Sequence, residues 1–367
     1  MDAASTYLSL EEPDRSDHLW RYTPWKKVHP SGDLSHFPEM QKPEVRLSMI
    51  DGSEVPEGIS IIEGASSDIK LDFGDQLTTS FLYASTENSR WTLVVNNSFT
   101  SSVPVILDIG TGEGISAAHL SMEIGELADI ELITRVSGKS EWFGLLRTGE
   151  VGKGAFVNDV LLCLQQSGTM LRSESISIGR DAQVCAGTVS SGSERTKSDL
   201  RFKMGETGGN LKVLGSILSA DRMHLDHHIE ILHDAAETFS RLSWHSACGG
   251  ESRTIGTGML RVKEGSDGAD AAQIFHNLLL SEKAEADSIP ELEVMEHNVV
   301  GCGHGTANGP IDDGQIFYLE ARGYDKKDAE RALIAAFLNT TLSQMGSDVL
   351  HDWLVMMLTA QLETLNP

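Results

Sequence analysis

The central part of the chain, from about residue 60 to residue 300, is a series of short segments in which apolar and polar residues alternate. Examples are residues 91–97, 104–109, 119–124, 129–136 and 211–218. Alternation at every second residue is typical of strands that bury one face. Gly, Ser, Asn and Asp separate the segments, and no helical pattern of about ten residues interrupts them before the C-terminal region. This order predicts a sandwich, a barrel or a solenoid.

The segments show no repeat of fixed length, so the residues alone leave these three architectures open. The change of pattern along the chain nevertheless divides it into three parts. We predict an N-terminal region over residues 1–60, a β core over residues 61–309 and a helical region over residues 310–367.

Three helices are predicted in the C-terminal region from their capping residues. Asp312 or Asp313 is expected to begin a short helix that ends at Gly323. Asp325 is expected to cap a second helix, and Ser347 a third that runs almost to the last residue.

The charge balance is strongly acidic, with 54 Asp and Glu residues against 29 Lys and Arg and a net charge of −25. Such a surface repels phosphate groups, so we expect no nucleic-acid partner. The first residues lack the basic-then-apolar order of a signal peptide. The apolar run at residues 353–362 is too short to span a bilayer. We therefore expect a cytoplasmic protein that does not bind membranes.

The four cysteines, Cys163, Cys185, Cys248 and Cys302, lie far apart in the chain. Their spacing fits neither a disulfide framework nor a zinc site built from closely spaced cysteine pairs. We expect all four to be reduced, and the first three to be small buried residues.

Cys302 and His304 are the principal candidate metal ligands in the sequence. They are two residues apart, so in a strand both side chains leave on one face, with their anchors roughly 6.6 Å apart. Thiolate and imidazole are both ligands for soft and borderline metals. Because two ligands do not complete a tetrahedral site, other residues or a second protein would have to supply the rest.

A histidine-rich segment covers residues 224–245. In a strand, His224, Asp226 and His228 would share one face, and His227 would lie on the other. The spacing matches no zinc signature, so both hydrogen-bonding histidines and metal ligands remain open.

The glycine-rich run at residues 105–114 is similar to the cofactor loop of methyltransferases that use S-adenosylmethionine. A methyltransferase needs a helix directly after this loop. The residues that follow alternate with a strand period instead, which favours a simple turn between strands.

Residues 277–294 and 300–323 resemble the SufB/SufD family of iron–sulfur cluster assembly scaffolds. The matching features are a leucine run, an acidic turn, the motif P-x-L-E, the motif C-x-H-G and then QIFYL-x-x-RG. The resemblance implies a mainly β protein with a right-handed parallel β-helix core. In such a fold Gln273 and Asn277 could form a polar ladder between successive turns.

Within this family the chain is more similar to SufD than to SufB. SufD-type proteins carry the C-x-H-G motif, here residues 302–305, and a W-R-Y-T motif, here residues 20–23. SufB-type proteins carry a sulfur-accepting cysteine just before P-x-L-E, and residues 281–289 contain none.

The resemblance also implies a function. The chain would be a scaffold subunit rather than an enzyme, would pair with a SufB-like chain or with itself, and would bind a SufC-type ATPase through its C-terminal helices. A transient iron–sulfur cluster would form at the subunit interface, with His304 and Cys302 as candidate ligands. The sequence has no phosphate-binding loop of its own, so any ATP hydrolysis would belong to a partner. The alternatives are a carbohydrate-active β-helix enzyme and a metal-free homodimeric binding module.

Overall fold

The computed structural model describes residues 3–64, 74–101, 103–190 and 192–364. The strands, in chain order, are β1 (Glu44–Met49), β2 (Ile59–Glu63), β3 (Arg90–Val95), β4 (Val105–Gly110), β5 (Ile115–Ile124), β6 (Asp129–Gly138), β7 (Trp142–Val151), β8 (Phe156–Gln165), β9 (Thr169–Ile178), β10 (Gln183–Ser190), β11 (Arg195–Met204), β12 (Asn210–Ser219), β13 (His224–His233), β14 (Phe239–Cys248), β15 (Arg253–Val262), β16 (Asp270–Leu279), β17 (Glu285–Val294) and β18 (Gly301–Pro310). The helices are α1 (Ala3–Leu8), α2 (Trp25–Val28), α3 (Gln76–Ser85), α4 (Asp313–Glu320), α5 (Lys326–Leu342) and α6 (Asp348–Thr364), with a 3-10 turn at His18–Trp20.

The described strands form two sheets. One contains β1 and the even-numbered strands from β4 to β18, and the other contains β2 and the odd-numbered strands from β3 to β17. We call them the even sheet and the odd sheet. Neighbouring strands are parallel except in the pairs β1–β4 and β2–β3, which are antiparallel. The chain thus passes through both sheets once per turn, and the predicted mainly β fold, a parallel solenoid with C-terminal helices, is confirmed.

The turns of the solenoid differ in length. Thr169 pairs with Arg195, which lies 26 residues further along the chain, whereas Arg253 pairs with Glu285, which lies 32 residues further. The strands are nearly constant in length, so the loops between the sheets absorb the difference. This variation explains why the sequence shows no repeat of fixed period although the fold is repetitive.

One corner of the solenoid repeats the same backbone bend. In successive turns a residue with positive φ occupies the equivalent place, namely Ser98, Leu127, Gly154, Asp181, Gly208, Glu237 and Gly268. The amide of each donates a hydrogen bond to a carbonyl of the next turn, for example Gly154 to Arg180 and Asp181 to Thr207. These bonds offset the cost of the left-handed conformation at the residues that are not glycine.

The space between the two sheets is filled mainly by aliphatic and aromatic side chains. A layer of charged groups crosses it near the middle, where Arg147 bonds to Asp159 at 2.6 Å and to Glu174 at 2.8 Å. Arg172 forms a further ion pair with Glu174. All four side chains are almost fully buried, so deleting one partner would strand a charge at a cost of about 3–5 kcal/mol.

The outer face of the even sheet is covered by α5 and α6. Ile334, Leu338 and Leu354 pack there in a cluster with side chains of the sheet. The loop between the two helices is held by Glu131, whose carboxylate accepts hydrogen bonds from the amide and the hydroxyl of Ser347, both at 2.6 Å. The predicted caps of the C-terminal helices are confirmed, with Asp312 before α4 and Asp325 before α5.

The outer face of the odd sheet is covered by the N-terminal region and by α3. Trp20 and Trp25 are buried in a cluster that also contains Phe81 of α3 and Trp142 of the sheet. The expectation that no helix interrupts the strands is therefore wrong at α3. A segment of only ten residues gives a short periodic signal, and its helix is stabilised by packing on the sheet.

Asp75 begins α3 at a buried position. Its carboxylate accepts hydrogen bonds from the amides of Leu77 and Thr78 and from the Thr78 hydroxyl. Burial raises the pKa of Asp75 to about 6, and the neighbouring Asp199 carboxylate adds to the shift. The folded chain therefore holds a proton on Asp75 at pH values where the unfolded chain has released it. This contribution to stability is present at low pH and is lost as the pH rises through about 6.

We expect Asp75→Asn to keep the cap and remove this pH dependence, because asparagine caps helices about as well as aspartate and cannot ionise. The free energy of unfolding of the variant, relative to that of the unmodified chain, should rise by about 1 kcal/mol between about pH 5 and about pH 8. Urea denaturation at both pH values measures this. Asp312→Asn, at the exposed cap of α4, is the matched control, and an equal change in both variants would contradict the prediction.

Candidate functional site

Cys302 and His304 lie on β18, the last strand of the even sheet. Among the described residues β18 pairs only with β16, and β17, the last strand of the odd sheet, pairs only with β15. One edge of each strand therefore has no neighbouring strand. The candidate ligands stand at the open C-terminal end of the solenoid and are not sealed inside it.

Cys302 lies at the border between the interior and the solvent. Its register partner on β16 is the buried Ala271, and Cys302 is half-buried against the same hydrophobic core. Loss of hydration on burial is the main cause that raises the pKa of the Cys302 thiol, and the Asp270 carboxylate adds to it. A backbone hydrogen bond at Ala271 acts in the opposite direction.

His304 is exposed and pairs in register with Gln273, which is fully buried. Because side chains alternate along a strand, His304 shares a face with Cys302, two residues before it. The imidazole thus lies over the end of the interior, in the place that a side chain of the next turn would occupy if the solenoid continued. It is accessible to a second molecule that approaches this end.

Amide side chains close the interior just below the last turn. The Gln273 side-chain amide crosses between the sheets and donates to the carbonyl of Glu291 at 2.7 Å. The Asn277 amide donates to Asn308, its register partner one turn on, at 2.8 Å, and to Ser288 at 2.7 Å. The predicted ladder is confirmed at Asn277, whereas Gln273 bonds across the solenoid instead of along it.

Within the described part of the chain, no group of three or more His, Cys, Asp or Glu side chains is placed to hold a metal ion. Cys302 and His304 therefore form an incomplete pair of ligands in a single chain. A tetrahedral iron or zinc centre there would need at least two further ligands from another molecule.

The histidine-rich segment forms β13 and part of β14, and its histidines other than His227 make side-chain hydrogen bonds. The Thr23 hydroxyl donates to Asp226 at 2.5 Å and lies 2.9 Å from Nε2 of His224. His228 contacts Asp199 at 2.7 Å, and His227 faces the interior on the opposite side of the strand. The predicted division of faces is confirmed. In the outward group, His224 and Asp226 bond to Thr23 of the N-terminal region, and His228 bonds to Asp199 of β11.

The remaining alternatives from the sequence are decided by secondary structure and burial. The run at residues 105–114 is β4 followed by a turn, and the next element is the strand β5, so the methyltransferase interpretation is excluded. Cys163, Cys185 and Cys248 are free and buried, as predicted. The W-R-Y-T motif serves as an anchor, since Trp20 and Thr23 are buried on the odd sheet.

Residues 108–337 match the family model described as "SUF system FeS cluster assembly, SufBD core domain". The chain belongs to the SufBD family. The matched residues cover well over half of the chain and include both candidate ligands. The family inferred from the C-x-H-G region is therefore confirmed, and it places the protein in the SUF system of iron–sulfur cluster assembly.

Similar proteins extend the relationship to most of the chain. The SufBD family protein Rv1462 of Mycobacterium tuberculosis is 25% identical over 367 residues, covering 97% of this chain and 90% of the relative. SufD of Escherichia coli is 23% identical over 353 residues, covering 89% and 83%. SufD of Bacillus subtilis is 25% identical over 217 residues, covering 58% and 49%. The predicted similarity to SufD is confirmed.

Two features of this SufBD protein were not predicted from the sequence. A cavity of about 750 Å³ lies between the end of the solenoid and α4 and α5, with Lys326, Lys327 and Arg331 in its wall. On α4, Phe317 is 72% exposed and Tyr318 is 55% exposed. Helical periodicity locates α4 but does not show which of its faces is left uncovered. Among the described helices, none is both long and apolar enough to cross a membrane.

We expect an alkylating reagent such as iodoacetamide to modify Cys302 before the other cysteines. Burial shields Cys163 and Cys185 and raises the pKa of these thiols to about 11 and about 12. Because the pKa of Cys302 is also raised, its labelling rate should increase from about pH 7 to about pH 9 as thiolate forms. Peptide mass spectrometry of the folded chain measures both, and earlier labelling of Cys185 would contradict the assigned burial.

Proposed function

We propose that this chain is a scaffold subunit of the SUF complex that pairs with a SufB-like chain through the open end of its solenoid. It acts in the cytoplasm and is not an enzyme on its own. The position of Cys302 and His304 on an edge strand carries the proposal. A second chain that docks there approaches both side chains and can complete a coordination sphere that this chain leaves unfinished.

In this proposal the nascent iron–sulfur cluster is the cargo of the complex. His304 binds iron from this side, and Cys302 adds a thiolate once it has lost its proton. A neutral imidazole binds iron more weakly than a thiolate does, which suits a cluster that must later be released. The half-buried thiol gives up its proton when it binds the metal, so the affinity of this side rises with pH.

The C-terminal helices are the proposed docking site of a SufC-type ATPase. Phe317 and Tyr318 support this assignment, since they are adjacent and exposed on α4, and neighbouring exposed apolar side chains can mark an interaction surface. The chain itself has no phosphate-binding loop. ATP-driven closure of the ATPase subunits would then act on the scaffold interface and open it to the assembling cluster.

We expect His304→Ala to reduce the cluster yield of the reconstituted complex by about tenfold or more, because it removes a ligand from the interface. His297→Ala is a matched control, since His297 is also exposed and lies in the same last turn. Anaerobic reconstitution followed by iron and sulfide analysis measures the yield. Equal yields from the two variants would exclude the proposed role of His304.

We expect Phe317→Asp to weaken binding of the ATPase by about tenfold or more, because a charge would replace an exposed apolar contact. Leu127→Asp is the control, since Leu127 is 62% exposed at a corner of the solenoid, distant in sequence from α4. Titration of the ATPase onto each chain gives the affinities. Retention of full affinity by the Phe317 variant would place the ATPase elsewhere.

A further inference from the structure

Three outward-facing carboxylates, all away from the ends of the solenoid, are each held between cations of two neighbouring turns. Glu230 on β13 is the clearest case. Arg201 on β11 reaches it at 3.3 Å from one side, and Arg261 on β15 reaches it at 3.1 Å from the other. With both cations in place the Glu230 side chain is only 8% exposed. A carboxylate can be covered to this degree because the paired charges offset its lost hydration.

Two further carboxylates share this arrangement with a cation from the turn before and one from the turn after. They are Asp234, between Lys203 at 3.4 Å and Lys263 at 2.7 Å, and Glu251, between Arg222 at 3.2 Å and Lys283 at 2.6 Å. At these three places, positive and negative side chains alternate from one turn to the next along the axis of the solenoid.

The last strand of the odd sheet breaks this pattern. Four outward carboxylates of β17 have partners only on the inner side or from the N-terminal region, namely Glu285 and Asp287 with Arg253, Glu291 with His18, and Glu293 with Arg261. On the outer side, no strand of the described chain pairs with β17. These side chains keep 31–65% of their surface exposed, whereas Glu230, Asp234 and Glu251 keep 8%, 21% and 42%.

A strand that pairs with β17 would place its own outward side chains beside these carboxylates, as β15 places Arg261 beside Glu230. A strand without lysine or arginine there would give the carboxylates no opposite charge on their outer side. If the added strand were β17 of a second copy, acidic side chains would lie opposite acidic side chains, which is destabilising across a strand pair. The other edge strand, β18, has Gly303 and Gly305 on its outward face and adds no charge there.

We propose that the open edge of β17 selects a partner strand with lysine or arginine on its outward face and rejects β17 of a second copy of this chain. The proposal rests on the proposed function, which places the partner at this end. Charged side chains on an edge strand also prevent aggregation.

The test mixes two forms of the full chain that carry opposite charges on the outward face of β17. The first is the unmodified chain, and the second carries Asp287→Lys, Glu291→Lys and Glu293→Lys. Sedimentation velocity at about 50 mM NaCl should show a 1:1 complex in the mixture that neither form makes alone. The association constant should fall about tenfold or more at about 500 mM NaCl, because exposed charge pairs are screened.

The matched control carries the same change of charge away from the edge, with Glu123→Lys, Glu126→Lys and Glu150→Lys at exposed positions. This form should not associate with the unmodified chain. The proposal is overturned if the β17 mixture shows no association beyond the state of each form alone. It is also overturned if the control mixture associates equally, or if the unmodified chain forms a dimer that the β17 substitutions dissociate.

If the β17 variant does not fold, as judged by circular dichroism, a peptide replaces it. A labelled peptide with the sequence of Glu285–Val294 and lysine at its four acidic positions should bind the unmodified chain at least about tenfold more tightly than the unaltered sequence. Equal binding of the two peptides overturns the proposal. Neither assay depends on cluster formation, so a failure here is distinguishable from a failure of the His304 test.

Discussion

Parallel pairing from one turn to the next is the constraint on which the rest of this structure depends. Each strand finds its backbone partners in the turns before and after it, and its inward side chains are covered by the same two turns. This pairing pattern does not end by itself, because every added strand leaves a new edge with unpaired backbone groups. At the N-terminal end the antiparallel strands β1 and β2 terminate the two sheets. At the C-terminal end β17 and β18 continue the parallel pattern and then stop.

The terminal regions of the chain decide which surfaces remain for partners. The N-terminal region and α3 cover the odd sheet, and α5 and α6 cover the even sheet. The faces of the solenoid are therefore largely occupied by its own chain. Two surfaces remain near the last turn. One is the open edge, where Cys302, His304 and the carboxylates of β17 lie, and the other is formed by the exposed aromatic side chains of α4.

The polar groups of the interior differ between the middle of the solenoid and its open end. The middle of the interior contains a neutral layer of buried ion pairs around Arg147, and the last turns contain the amide contacts of Gln273 and Asn277. Cys302 stands half-buried above this layer, and His304 is exposed. A thiol against the dry interior and an imidazole in solvent suit different roles. The thiol must lose a proton before it can bind a metal.

The sequence by itself determined the local structure and the family. Alternating segments predicted strands of the core such as β3, β4, β6 and β12, and capping aspartates predicted α4 and α5. The spacing of Cys302 and His304 placed them on one strand face. Local periodicity did not reveal α3, because a helix of only ten residues depends on packing against the sheet beneath it. Nor did it reveal the register between turns, because turns of 26 to 32 residues leave no fixed repeat. Only the tertiary structure decided that β18 has an open edge and that the carboxylates of β17 lack outer cations, since both depend on pairing between residues about one turn apart in the chain.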